Sequence, residues 1–135
     1  MYAHLLSIAV AVATHLGYHA QPMPALEAAA DVVAANPGAL QRPDDETIAI
    51  VVYWMHRESA FQSSAIGDGG LAHGLLQLHG ACGLRSAREQ VKCWLALVRR
   101  GERLCPAQPL AMTWGSCRYS PLADRRLSRV RELLP

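Results

Sequence analysis

A carboxylate that closes an apolar helical stripe is equipped to move protons, and Glu58 has that setting. Ile48, Val51, Val52 and Met55 recur at helical spacing, and Glu58 follows Val51, Trp54 and Met55 by seven, four and three positions. Its side chain therefore leaves the edge of the same face. Burial penalises the ionised form, and the last turn of a helix disfavours an anion. Both effects push a carboxyl group upward from its ordinary titration range, as a general acid working near neutral pH requires. Downstream, Gly67-Asp68-Gly69-Gly70 supplies glycines that take positive φ and let the backbone lie close against a ligand, to which it can offer exposed N–H and C=O groups. Gln77 adds an amide, both donor and acceptor, beside Leu75, Leu76 and Leu78. Other chemistries lack their residues. His56 and Glu58 do not form HExxH, no glycine-rich phosphate loop opens a helix, and no serine sits in a nucleophile elbow. Neither a metal nor a nucleotide cofactor is expected.

The run from Glu58-Ser59-Ala60-Phe61 through Gly74-Leu75-Leu76-Gln77-Leu78 resembles the soluble lytic transglycosylase and goose-type lysozyme group. There an E-S-x-F-x-x-x-A segment closes a helix, a glycine-rich loop follows, and G-L-x-Q-[IL] comes next. The first element matches at Glu58, Ser59, Phe61 and Ala65, and the last at Gly74, Leu75, Gln77 and Leu78. The loop between them is similar to the G-D-x-G variant of phage and bacterial peptidoglycan-cleaving domains, one residue longer than the commonest pattern. A third element, A-Y-N-A-G, falls at Ala111 to Gly115, where Met112 replaces the tyrosine and Thr113 the asparagine. Met112 has no hydroxyl to position acid and sugar; Trp114 or Tyr119 is the candidate aromatic floor for a pyranose ring.

The resemblance implies a mainly α, lysozyme-like domain with a glycine-rich active-site loop. It implies a lytic transglycosylase that cleaves the β-1,4 bond between N-acetylmuramic acid and N-acetylglucosamine, with Glu58 as the single acid/base. Ser59, Asp68, Gly74, Leu75, Gln77 and Thr113 are then the substrate-binding residues, Gln77 facing the carboxylate across the cleft. A hydrolytic lysozyme using Asp68 to activate water stays open, as does a non-catalytic module of a phage or secretion assembly. The expected partner is the glycan strand of peptidoglycan, bound by a monomer, with no nucleic acid and no membrane span. His73 and His79 bracket the groove wall, and are expected as ordinary loop histidines.

Such a site needs elements to hold it. With 135 residues, 51% hydrophobic and 18% charged, the chain reads as one domain, residues 1–135, able to bury a core, which excludes a disordered tail. No stretch reaches the roughly 18 uninterrupted apolar residues of a membrane-spanning helix. Leu5, Ile8, Ala9, Val12, Ala13 and Leu16 form the stripe of an amphipathic first helix. The same segment looks like a signal-peptide core, but Met1 to His4 carries no Lys or Arg, which favours a structural helix. Pro24 opens a second helix that Asn36-Pro37-Gly38 ends. Asp44, Asp45 and Glu46 offer an N-cap and first-turn charge to a third, from about Thr47 to Ala60. Residues 62–73, rich in Ser and Gly, read as a loop, no run alternates as a strand, and later helices are expected at about 86–100, 107–114 and 121–134.

Cys82, Cys93, Cys105 and Cys117 stand at intervals of 11, 12 and 12 with no CxxC pair, which argues against zinc and for two disulfides in an oxidising destination. The connectivity stays open among three; the two local pairings close short loops around helix ends. The location expected is extracytoplasmic, periplasmic or secreted, or a phage virion. Residues 1–84 carry two basic and seven acidic side chains, residues 85–135 eleven basic and four acidic, so the C-terminal part suits a polyanion. On the last helix Leu127, Val130 and Leu134 are expected to face the core and Arg125 and Arg129 the solvent, where they capture an anionic wall without entering the chemistry.

Overall fold

Thr47 through Met55 contain no exposed residue; a helix that is apolar on every side must lie at the centre of its domain. In the computed structural model, which describes residues 1–135, this is α3 (Asp44–Ser59), and α1 (Tyr2–His15), α2 (Met23–Ala35) and α5 (Pro121–Leu133) pack on it. Helix α4 (Ala87–Leu104) closes the bundle against α2. The protein is mainly helical. No helix is long and apolar enough to cross a membrane.

The first helix buries Leu5, Ile8, Ala9, Val12 and Ala13, the expected stripe except Leu16, which follows the helix end and is half-buried; they share one continuous core with Leu26, Ala29, Ala30 and Val33 of α2. Each buried Leu, Ile or Val contributes roughly 1.5–3 kcal/mol relative to exposure. The third helix starts three residues earlier than Thr47. Asp44, Asp45 and Glu46 thus lie in its first turn, with Pro43 at the cap and no side-chain capping bond; their contribution is charge on the helix dipole. Asp44 instead accepts from the Gly38 N–H at 3.0 Å. The helix ends when Ala60 turns left-handed (φ 50°, ψ 39°) and its N–H bonds back to His56, a reversal that sends the chain away from α3 immediately after Ser59.

That chain does not stay a loop. Three two-residue strands, β1 (Ile66–Gly67), β2 (Ala72–His73) and β3 (Leu78–His79), pair antiparallel in that order, with Ile66 opposite His73 and Ala72 opposite His79. A short 3-10 helix (Gly80–Leu84) leads on to α4, which Ser86 caps by accepting from the Glu89 N–H. The expected helix at 107–114 is a 3-10 helix over Pro109–Trp114. It presses so closely on α4 that a Cβ on Gly101 would stand 2.1 Å from the Pro109 carbonyl oxygen.

Both disulfides are local: Cys82 bonds Cys93, and Cys105 bonds Cys117, leaving no free thiol. The first ties the 3-10 helix after β3 to α4. The second brackets the Pro109–Trp114 segment.

Candidate functional site

Between the sheet and the α5 side of the bundle lies a cleft of about 750 Å³, within the range of ligand sites. One wall is Gly67, Asp68, Ala72, Gln77, Leu78 and His79; the facing wall includes Met112, Thr113, Trp114, Leu122 and Arg126, and Glu58 lies between. The reversal at Ala60 explains the arrangement. It ends α3 at the cleft and returns the chain as the sheet that forms the opposite wall.

The Glu58 side chain is 17% exposed and both its oxygens are met by donors. Arg126 Nη2 donates to Oε2 at 3.2 Å, and the Trp114 indole N–H reaches Oε1 at 3.4 Å. The guanidinium is itself buried against two neighbouring aromatic rings, its central carbon 4.9 Å from the ring centre of Trp54 and 5.4 Å from that of Trp114, the two centres being 6.0 Å apart, so both make cation–π contacts with it. Trp54 is backed in turn by Trp94, ring centres 6.0 Å apart. Burial draws the Arg126 guanidinium below its ordinary pKa, with Glu58 pulling it back up; a guanidinium remains charged throughout the working range. The helix-end argument for Glu58 thus had no counter-cation in it, and the fold supplies one.

The other expected contacts divide. Asp68 and Thr113 line the cleft. Asp68 pairs with His79 Nε2 at 3.0 Å across the sheet, and Thr113 donates its hydroxyl to the Leu110 carbonyl at 2.7 Å. Gln77 also lines the cleft, but its Nε2 donates to the carbonyls of Ala65 (3.0 Å) and Gly74 (2.9 Å), so its amide pins the loop. Gly67 is extended (φ −140°) rather than left-handed; its missing Cβ makes room for the Gln77 carbonyl, which would otherwise be 2.6 Å away. Positive φ is found at Gly69 and Gly70, as expected.

Ser59, Gly74 and Leu75 do not line the cleft. The Ser59 hydroxyl is buried and donates to the carbonyls of Met55 (3.0 Å) and Leu75 (2.8 Å), which fastens the loop to the end of α3. Leu75 is in the core, and Gly74 abuts the Gln90 amide, where any Cβ would clash at 2.4 Å. All three shape the site from behind. His73 Nε2–H donates to the Gly70 carbonyl of its own loop, 2.8 Å away.

The unexpected residue is Arg126. The buried face of α5 is Ala123, Arg126, Val130 and Leu133, not the Leu127, Val130 and Leu134 stripe, whose two leucines are only half-buried. Arg125 and Arg129 are exposed, as expected. Positions 123, 126, 130 and 133 also satisfy helical spacing, and an arginine on that face is a signal that a buried acid awaits it. Gln108 sets the register: its amide donates to the carbonyl of Ser120 (2.8 Å) and to Asp124 (3.0 Å) at the start of α5, and its carbonyl accepts from the Ser120 N–H (2.7 Å). Hydrogen bonds from Tyr119 and Gln108 hold the Asp124 carboxyl below its ordinary pKa.

No group of His, Cys, Asp and Glu side chains is arranged to hold a metal ion. Comparisons with family models, with curated proteins and with solved structures return no match to this chain.

Proposed function

We propose that this protein is a peptidoglycan-cleaving lytic transglycosylase of lysozyme-like architecture, with Glu58 as its single acid/base. The observation that carries the reading is a half-buried carboxylate at the end of the central helix, set between a small three-stranded sheet and an exposed tryptophan in an open cleft. An elongated glycan fits such a site: Trp114, 41% exposed, offers a ring face to a pyranose, and the glycine-rich turn offers backbone groups. Glu58 would give its proton to the glycosidic oxygen as the C1–O bond breaks. It would then take a proton from the C6 hydroxyl of the muramoyl unit as that oxygen bonds to C1, leaving a 1,6-anhydro product without consuming water. Thr113 and Met112 contribute shape on the far wall, where Met112 can orient nothing by hydrogen bonding. The two disulfides accord with work outside the reducing cytoplasm.

Asp68 favours a second reading. It is the other carboxylate on the cleft wall, and an inverting hydrolase would use it to activate water, with the two carboxyl groups about 6.5–9.5 Å apart. Digestion of purified sacculi, read by mass spectrometry, separates the readings: 1,6-anhydro-muropeptides are expected, and reducing ends alone would favour hydrolysis. Glu58→Gln keeps an acceptor for Arg126, so it should bind sacculi while turnover falls by about 10²–10⁴. Binding with no turnover by the wild type would leave only a glycan-binding module.

A further inference from the structure

Arg126 occupies a place where an apolar side chain would be less costly. Its side chain is only 6% exposed, and Nε and Nη1 meet no acceptor in the protein. Buried donors without partners are destabilising, and a hydrophobic residue of similar volume avoids that penalty. Only Nη2 is matched, and its partner is Glu58 Oε2. We infer that Arg126 is the positioning residue for Glu58, fixing Oε2 so that Oε1 carries the proton delivered to the glycosidic oxygen. The inference rests on the reading of Glu58 as acid/base.

The two oxygens of Glu58 are held unequally. Arg126 is charged, buried and fixed by two tryptophan rings, whereas the Trp114 indole is neutral, exposed and reaches Oε1 at the long distance of 3.4 Å. A charge-assisted bond is the stronger, so Oε1 is the oxygen that substrate can free. In the acid form Oε1–H donates and Oε2 accepts from Arg126. In the base form the guanidinium balances the carboxylate while Oε1 receives the C6 proton. The other titratable or charged groups near the pair are Tyr53, His56 and Arg57 on α3 and Asp68 across the cleft.

The test is kcat and KM of sacculus cleavage for wild type, Arg126→Met and Arg126→Lys. The Met variant keeps the packing against the two rings; its kcat should fall about tenfold or more with KM little changed. The Lys variant keeps the charge without the planar fork, so its kcat should fall several-fold, by less than that of the Met variant. A folded Met variant with the wild-type kcat would overturn the inference. Should circular dichroism find the Met variant unfolded, the Lys variant decides: an undiminished kcat overturns it. A wild type that binds sacculi without cleaving them defeats the glycosidase reading and this inference together; a cleaving wild type with indifferent variants defeats this inference alone.

Discussion

The three helices α1, α2 and α3 and the walls of the cleft are held together by different forces. The helices contribute most of the core, from Leu5 to Met55, and no covalent link joins them. Outside the helix faces that reach the cleft, its walls are made of two-residue strands and 3-10 turns, which present too little contiguous apolar surface to bury. There the work falls to single polar side chains, Ser59, Gln77, Gln90 and Gln108, each bonded to backbone carbonyls, and to two disulfides. The lesson is that a cleft, which has to stay open, cannot be stabilised by filling it; fixed hydrogen bonds and cross-links take the place of area.

Removing the cross-links should produce the largest effect. Closing a loop of about 12 residues is worth roughly 3 kcal/mol in the chain-entropy model, so reduction of both bridges should lower the melting temperature sharply, and the unreduced protein should titrate no thiol. If the contrast between the two regions is sound, reduced protein first loses Trp114 fluorescence character while far-ultraviolet helical signal persists; simultaneous loss of both would break it. Next in size is Ile50→Ala in the central helix. A fully buried isoleucine truncated to alanine costs about 2–5 kcal/mol, measurable by urea titration, and here helix and tryptophan signals should fail together.

A pH effect sharpens the contrast further. His56 sits at the junction, where the Tyr18 hydroxyl meets its Nδ1 at 2.9 Å. Burial, with Arg57 and Arg126 nearby, lowers its pKa from the ordinary 6.5. The unfolded chain therefore binds more protons between that lowered value and about 6.5, so this contribution is complete above 6.5 and is lost as pH falls through the window. His56→Gln should flatten the fall in melting temperature between pH 7.5 and 5. The smallest effect belongs to the solvent face. Arg125→Gln with Arg129→Gln should weaken sacculus binding at low salt and change little near 1 M, where the Debye length is about 3 Å, with turnover of a short neutral glycan unchanged.

What was legible in the sequence follows the same division. The stripe of α1 and the apolar run of α3 place their helices, because long elements repeat their period several times. The strands at 66–67, 72–73 and 78–79 are invisible to periodicity, since two residues cannot alternate. Glu58 could be singled out from its helix; that Asp68 and Gln77 share a cleft with it needed only the loop to fold back, whereas Thr113 reaches it on the separate Pro109–Trp114 segment. Ser59 and Leu75 could not be told from contact residues, because a motif position gives no direction for a side chain. Arg126 was hidden by its neighbours: among Arg125, Arg129 and Arg131, only the rotation of α5 distinguishes the one arginine that faces inward.

The length of α4, 18 residues, has a consequence for how the chain oxidises. By separation alone, Cys93 and Cys105 are as close in sequence as Cys105 and Cys117, and a disordered chain would close the wrong loop as readily as the right one. Helix α4 runs from Ala87 to Leu104, so once wound it holds Cys93 and Cys105 about 18 Å apart at 1.5 Å per residue. A bridge spans no more than about 7 Å between α-carbons. The helix is thus a spacer against the Cys93–Cys105 pairing, one of the two wrong connectivities open to four cysteines.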